Sequence, residues 1–240
     1  MDFLDKKILV LGANGGIGSA LSKELQDRGA IVFGTRRKGD EPIPLAKWFS
    51  FDAEKEGLQR LEEISEKIGK LDLVFFCFGT AYYGSFTDME PKDLEHILHL
   101  DFQLPVSFTQ FFLKRMVEGH IHIVSAIAGL SPVLKNMSVY TSAKFGLVGF
   151  VRALAWELIG KPIKVSVSCP GGTITDLPKN ALGNREDFEK LIENLRKNFE
   201  EPAVVAKGIL DSLDSREVVI LPTPASAKMF ETFAQKKFTN

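Results

Sequence analysis

Short apolar runs alternate with amphipathic segments along the whole of this 240-residue chain, and that alternation restricts the fold more than any other feature. Runs suited to buried strands lie near residues 7–12, 30–35, 48–52, 71–78, 120–125, 163–169 and 217–221. Segments with helical spacing fall between them, near 16–28, 54–69, 91–118, 139–159, 185–199 and 202–213. Strand and helix in alternation call for right-handed crossovers and a parallel sheet covered on both faces. The run Leu71-Asp72-Leu73-Val74-Phe75-Phe76-Cys77-Phe78 suits a central strand buried on both sides. No internal repeat, low-complexity tract or composition break marks a linker. The expected fold is α/β: one doubly wound domain over residues 1–240. The stretch from Gly171 to Asn184 reads as a long loop, of the kind that is often functional.

Composition narrows the function. The net charge of −1 and pI near 6.5 give no global basic field for nucleic acid or an anionic membrane. No apolar run reaches the roughly 18–20 residues that span a bilayer, and the N-terminus lacks the order of a signal peptide. Cys77 and Cys169 both sit in apolar strand-like runs, which implies buried thiols, a reducing compartment and a cytoplasmic location.

In a doubly wound sheet, ligands sit beyond the C-terminal strand ends. The first strand runs into Gly12-Ala13-Asn14-Gly15-Gly16-Ile17-Gly18 and then into a helical pattern (Ile17, Leu21, Leu25). Glycine permits a tight turn and close approach of backbone to a ligand. The helix start that follows offers unpaired N–H groups to a pyrophosphate. The second strand ends in Thr35-Arg36-Arg37, with Asp40 and Glu41 only after a turn through Lys38-Gly39. A guanidinium here favours NADP(H) through its 2′-phosphate, where an acidic residue would favour NAD(H); the bland alternative is a solvated basic turn. Asp52, with Ala53 alongside, is either an adenine contact or the N-cap of the next helix.

Tyr140 and Lys144 stand four apart on one face of a helical segment. A nearby ammonium stabilises phenolate and is expected to lower the phenol's pKa towards neutrality, making the tyrosine a usable acid or base.

With these motifs the chain resembles the short-chain dehydrogenase/reductase family. Four features carry the resemblance over nearly the whole chain: Gly12-x-x-x-Gly16-x-Gly18, the strand ending in Gly79, Tyr140-x-x-x-Lys144, and Pro170-Gly171-x-x-x-Thr175. It implies a seven-stranded Rossmann-like fold and hydride transfer between a nicotinamide cofactor and a carbonyl or alcohol. By this resemblance Tyr140 is the proton donor, and Lys144 holds the nicotinamide ribose and assists the tyrosine. Thr175 would contact the carboxamide, and the segment near 171–200 would be a substrate lid. The cofactor set is then Gly12, Asn14, Gly16, Ile17, Gly18, Arg36, Arg37, Asp52, Ala53, Gly79, Tyr140, Lys144, Pro170, Gly171, Thr173 and Thr175. The resemblance also implies a homodimer or homotetramer through the helices that hold Asp101 and Tyr140.

Three departures stand out. The family's Asn-Asn-Ala-Gly is Phe76-Cys77-Phe78-Gly79 here, and its helical asparagine falls on Asp101. Asp101 keeps the backbone carbonyl that holds a water near the lysine in the family. The family's substrate-orienting serine falls on Ala126, with Ser125 one residue early. Strand side chains alternate faces, so Ser125 points away from substrate unless a bulge turns it inward. Loss of such a donor costs about 2.7–4 kcal/mol in the transition state.

The leading expectation is an NADP(H)-dependent oxidoreductase acting on a hydrophobic small molecule, with Tyr140, Lys144, Ser125 and Asp101 as its catalytic set. The alternative is a non-catalytic NADP(H)-binding sensor or scaffold. The expected pocket draws on Tyr82, Tyr83, Phe86, Leu130, Val133, Leu134, Met137 and Leu177. His96 and His99 lack a third ligand, so no metal is expected, and His120 and His122 read as structural.

Overall fold

The computed structural model describes residues 2–37 and 47–236. The expected turn at Lys38-Gly39, with Asp40 and Glu41, lies outside them. Seven parallel strands form the main sheet: β1 (Lys7–Leu11), β2 (Ile31–Arg36), β3 (Lys47–Ser50), β4 (Leu73–Phe76), β6 (Gly119–Val124), β7 (Ile163–Ser168) and β9 (Val219–Ile220). Their order is β3-β2-β1-β4-β6-β7-β9, so the winding reverses between β1 and β4. Five connecting helices are α1 (Gly16–Asp27), α2 (Ala53–Ile68), α4 (Leu104–Leu113), α5 (Ser138–Glu157) and α7 (Pro202–Ser212).

Period-two alternation sends each central strand's side chains into two cores. Leu9, Leu11, Val74, Phe76, Ile121 and Ile123 enter a core that contains Ile64, Phe108, Phe112 and Leu147 from the helices on that face. Ile8, Val10, Leu73, Phe75 and Val124 enter the other, with Leu21, Leu25, Ile209 and Leu210. Two faces both covered by helices explain why these strands are almost wholly apolar.

The helix expected over 91–118 is three pieces. α3 (Pro91–Leu98) passes through a π turn, His99–Gln103, into α4, and the helix ends at Leu113. Pro105 has no N–H to give the carbonyl of Asp101 four residues back. The ladder slips accordingly: the N–H of Leu104 reaches the carbonyl of His99, five residues back. Three further elements carry no clear sequence signal. β5 (Tyr82–Tyr83) pairs in parallel with β8 (Leu182–Gly183), and α8 (Pro224–Ala234) starts at Thr223, whose hydroxyl accepts the N–H of Ser226. The 185–199 segment contains α6 (Arg185–Leu195) and a short turn after it. Among the described residues no helix is long and apolar enough to cross a membrane.

Candidate active site

The C-terminal ends of β1, β4, β6 and β7 converge beside the point where the winding reverses. At the end of β1, Gly12 adopts φ 81°, and a Cβ there would lie 2.9 Å from the backbone nitrogen of Phe78. A Cβ on Gly18 would lie 2.2 Å from the Gly12 carbonyl oxygen, so the turn closes only with glycine at both places. The N–H groups of Gly12 and Ala13 reach the Thr35 hydroxyl and carbonyl, each at 3.0 Å, which ties the glycine turn to the end of β2. Arg36 ends that strand and exposed Arg37 follows it. Gly15 caps α1 without a side-chain acceptor, and the first turn has no acidic residue. The positive end of the helix dipole thus has no acidic side chain against it, with Gly15 and Gly16 exposed above it. This seat fits the pyrophosphate of a dinucleotide. Asn14 and Ile17 lie in the same turn, half-buried.

Across from it, α5 carries Tyr140 and Lys144, only 7% and 5% exposed. The Lys144 ammonium lies 5.4 Å from the centroid of the Tyr140 ring. Its Nζ is 3.5 Å from Oδ1 of Asp101, a fully buried carboxyl on the π turn. Oδ1 also accepts the N–H of Thr80 at 2.9 Å, and Oδ2 has no hydrogen-bond partner. A Cβ on Gly79 would come within 2.6 Å of Oδ1 and 3.3 Å of Nζ, so only glycine lets the β4 loop pass this pair. Burial raises the carboxyl pKa of Asp101 against the lowering pull of Lys144. The expectation of a Tyr140 phenol drawn towards neutrality is overturned. Burial pushes its pKa up, and the carboxylate of Asp101 adds to that.

The loop after β7 meets both halves. The Ile127 N–H donates to the Pro170 carbonyl at 2.8 Å, and a Cβ on Gly16 would lie 2.5 Å from Cγ2 of Thr175. Gly171 donates its N–H to the Ser226 hydroxyl, which fastens the loop to α8. Thr173 bridges to Glu200, so both ends of the intervening segment are held together. That segment is not the bare loop expected for Gly171–Asn184: β8 pairs with β5, and Phe188 of α6 stacks on Tyr83 at 5.0 Å.

Ser125 does not bulge inward. Its N–H continues the β6–β7 ladder to the Ser168 carbonyl at 2.8 Å, and its hydroxyl donates to the Lys144 carbonyl at 3.4 Å. Ala126 is the residue that packs in the apolar cluster around Tyr140. Of the expected pocket, Tyr83, Val133, Leu134, Met137 and Leu177 join that cluster. Tyr82 packs instead against Ile97 and Val139, Leu130 joins the main core, and Phe86 is 63% exposed. The sequence reading missed Ala81, Ala128, Ala181, Phe188 and Ile192, whose small or scattered side chains show no motif. Asp52 takes the capping role, with Oδ1 accepting the N–H of Glu54 at 3.2 Å, while Ala53 packs against the core. His96 pairs with Glu54 at 3.0 Å, and no group of three metal-ligating residues occurs among the described residues.

A glycine-lined helix start at the reversal of a doubly wound sheet, faced by a dry tyrosine–lysine pair, defines a class of α/β oxidoreductases. Residues 6–186 match the short chain dehydrogenase family, and the chain belongs to it. It is 30% identical to the SadH protein of Mycobacterium tuberculosis over 231 residues, covering 88% of this chain and 83% of that one. The fold is that of a short chain dehydrogenase/reductase from Burkholderia phymatum in complex with NAD (TM-score 0.83, 18% identity, 100% and 98% of the two chains). It is similarly that of a short chain dehydrogenase from Burkholderia cenocepacia in complex with NADP (TM-score 0.80, 15% identity, 98% and 95%).

Proposed function

We propose that this protein is an NADP(H)-dependent reductase interconverting a carbonyl and an alcohol on an apolar small molecule. The observation that carries the reading is the Tyr140–Lys144 pair, buried beside the glycine seat and opening onto a cluster of apolar side chains. When bound, the nicotinamide would supply or accept a hydride. The turn from Gly12 to Gly18 would hold the pyrophosphate, with Asn14 and Ile17 alongside. Lys144 would hold the nicotinamide ribose; Gly79, Pro170, Gly171, Thr173 and Thr175 would line its carboxamide end. Tyr140 would give its phenolic proton to the substrate oxygen. The tethered segment near 171–200 would be the lid, keeping water from the reacting atoms. Support for an apolar substrate comes from the wall around Tyr140, which offers Ala126, Leu134, Met137 and Leu177. A carbonyl panel with NADPH, read by nicotinamide absorbance, tests the reading; no turnover of any substrate would favour the alternative of a sensor.

Arg36 ends β2 beside the glycine turn and Arg37 follows it, and the first acidic residue after the strand in sequence is Asp40. NADPH is therefore expected to bind about tenfold tighter than NADH, or about 1.4 kcal/mol. In a fluorescence titration Arg37→Ala should shrink the gap; equal affinities of the parent protein for both cofactors would refute an NADP(H) preference.

Ala126 sets how fast the site can work. With Ser125 committed to the Lys144 carbonyl, the substrate oxygen has one fewer donor than in the family pattern. Ala126→Ser is expected to raise kcat about tenfold or more, because the added bond strengthens as the oxygen gains charge. Ser125→Ala should change kcat little. If Ser125→Ala proved the damaging variant, Ser125 would be the orienting donor after all.

A further inference from the structure

Four strands, a π turn and α5 place one carboxyl where the family pattern has an amide, and its surroundings give it a task. We propose that Asp101 is a positioning residue that offsets the charge of Lys144 and so disfavours the Tyr140 phenolate, which sets the alkaline limit of carbonyl reduction. This rests on the reductase reading above.

The geometry leaves the carboxyl little else to do. Asp101 has no solvent exposure, its Oδ1 sits 3.5 Å from the Lys144 ammonium, and the Thr80 N–H fixes that same oxygen at 2.9 Å. The β4 loop passes so close to both partners that a Cβ on Gly79 would collide with Oδ1. Oδ2 remains without a partner in the protein interior. An ammonium alone would stabilise a phenolate below the ring it faces; an ammonium paired with a carboxylate presents almost no net charge there. The other titratable groups packed on this spot do not restore the charge. Cys169, after β7, is held as a neutral thiol by burial, which pushes it up to about 12. His96, on α3, is turned to Glu54. Tyr83, on β5, stacks on Phe188.

The pH dependence of the reaction follows. In reduction a hydride reaches the carbonyl carbon, the C=O electron pair closes onto oxygen, and that oxygen takes the proton from Tyr140. A phenol is ready for this at neutral pH, and the phenolate left behind recovers a proton from solvent. Alcohol oxidation requires Tyr140 to begin as phenolate, the form that Asp101 disfavours.

The chain has three tyrosines, so each can be followed separately. With 3-fluorotyrosine incorporated, which makes the phenols more acidic, 19F NMR of the cofactor-free protein follows three ring signals into alkaline pH, and Tyr140→Phe assigns one. Asp101→Asn is expected to lower the Tyr140 midpoint by about one to two pH units, with Tyr82 and Tyr83 unmoved. Asp101→Ser, smaller and equally neutral, should repeat the shift and stands in should Asp101→Asn fold poorly. In parallel, the pH above which carbonyl reduction falls off should drop by about one to two units in Asp101→Asn. A Tyr140 midpoint that stays or rises in both variants overturns the proposal. The titration needs neither cofactor nor substrate, so a protein inert towards every carbonyl but showing the shift would refute the reductase reading alone. Reductase activity without the shift would refute only the role of Asp101.

Discussion

Tyr140→Phe is expected to lower carbonyl reduction by about 10²–10⁴-fold while leaving NADPH affinity within about twofold. The substitution removes one oxygen and keeps the ring that packs against Met137, Ala128 and Ala181, so the apolar cluster and α5 should be unchanged. What disappears is the proton donor, worth about 2.7–5.5 kcal/mol of the barrier on that scale. Lys144→Ala should behave differently, weakening NADPH binding and turnover together, because its ammonium serves the ribose and the phenol and also neutralises buried Asp101. Without it Asp101 is left as an unpaired buried carboxyl, so some loss of stability is expected too. The measurements are steady-state turnover on the best substrate of the panel and a cofactor titration for each variant. Wild-type turnover by Tyr140→Phe would exclude Tyr140 as the acid.

Much of this arrangement is legible in the amino-acid order, and the parts that are not share a physical reason. The seven main strands announce themselves as short apolar runs, and the helices between them through period 3.6. β5 and β8 are two residues each, too short for any period to form. The π turn had a signal in Pro105, whose missing N–H falls opposite Asp101, but it requires reading the ladder and not the hydropathy. The glycine turn and the Tyr140–Lys144 pair are local in sequence, so spacing suffices to find them. The wall around Tyr140 is assembled from loops and helices more than a hundred residues apart, and its alanines look like any others. Ser125 is the instructive case: residue type alone nominates it, whereas the unbroken ladder to Ser168 turns its hydroxyl onto the α5 backbone. Asp52 shows the converse, a carboxylate at a strand end that the helix start claims for itself.

A second large effect is expected far from the active site, in the resistance of the fold to mild acid. Alternation along β6 puts His120 and His122 on one face, both fully enclosed, and both rings bond the single hydroxyl of Ser166 on β7, at 2.7 and 2.8 Å. Their other nitrogens, Nδ1 of His120 and Nε2 of His122, have no partner, and Phe75 meets His122 edge-on at 5.4 Å between centroids. A proton on either ring would be a buried charge near its neighbour and near Lys164, so burial drives the His120 pKa down to about 3 and that of His122 well below its ordinary value. In the unfolded chain both titrate near 6.5. Above that pH neither state binds these protons, and they make no contribution to pH dependence. Below it the unfolded state takes up two protons that the native state refuses, so unfolding free energy falls by up to about 2.7 kcal/mol per pH unit, twice the single-site slope. The fall continues until His120 itself protonates in the folded protein near pH 3. Against a typical total of about 5–15 kcal/mol, a drop from pH 6.5 to 5 removes a large share of the stability. Urea unfolding at intervals between pH 7.5 and 5 measures this slope before most carboxylates begin to titrate. His120→Gln and His122→Gln should each roughly halve it and the double variant should nearly abolish it, whatever their stability at pH 7.5. A parent protein equally stable at pH 7.5 and pH 5 would show that the two imidazoles accept protons in place, contrary to their enclosure.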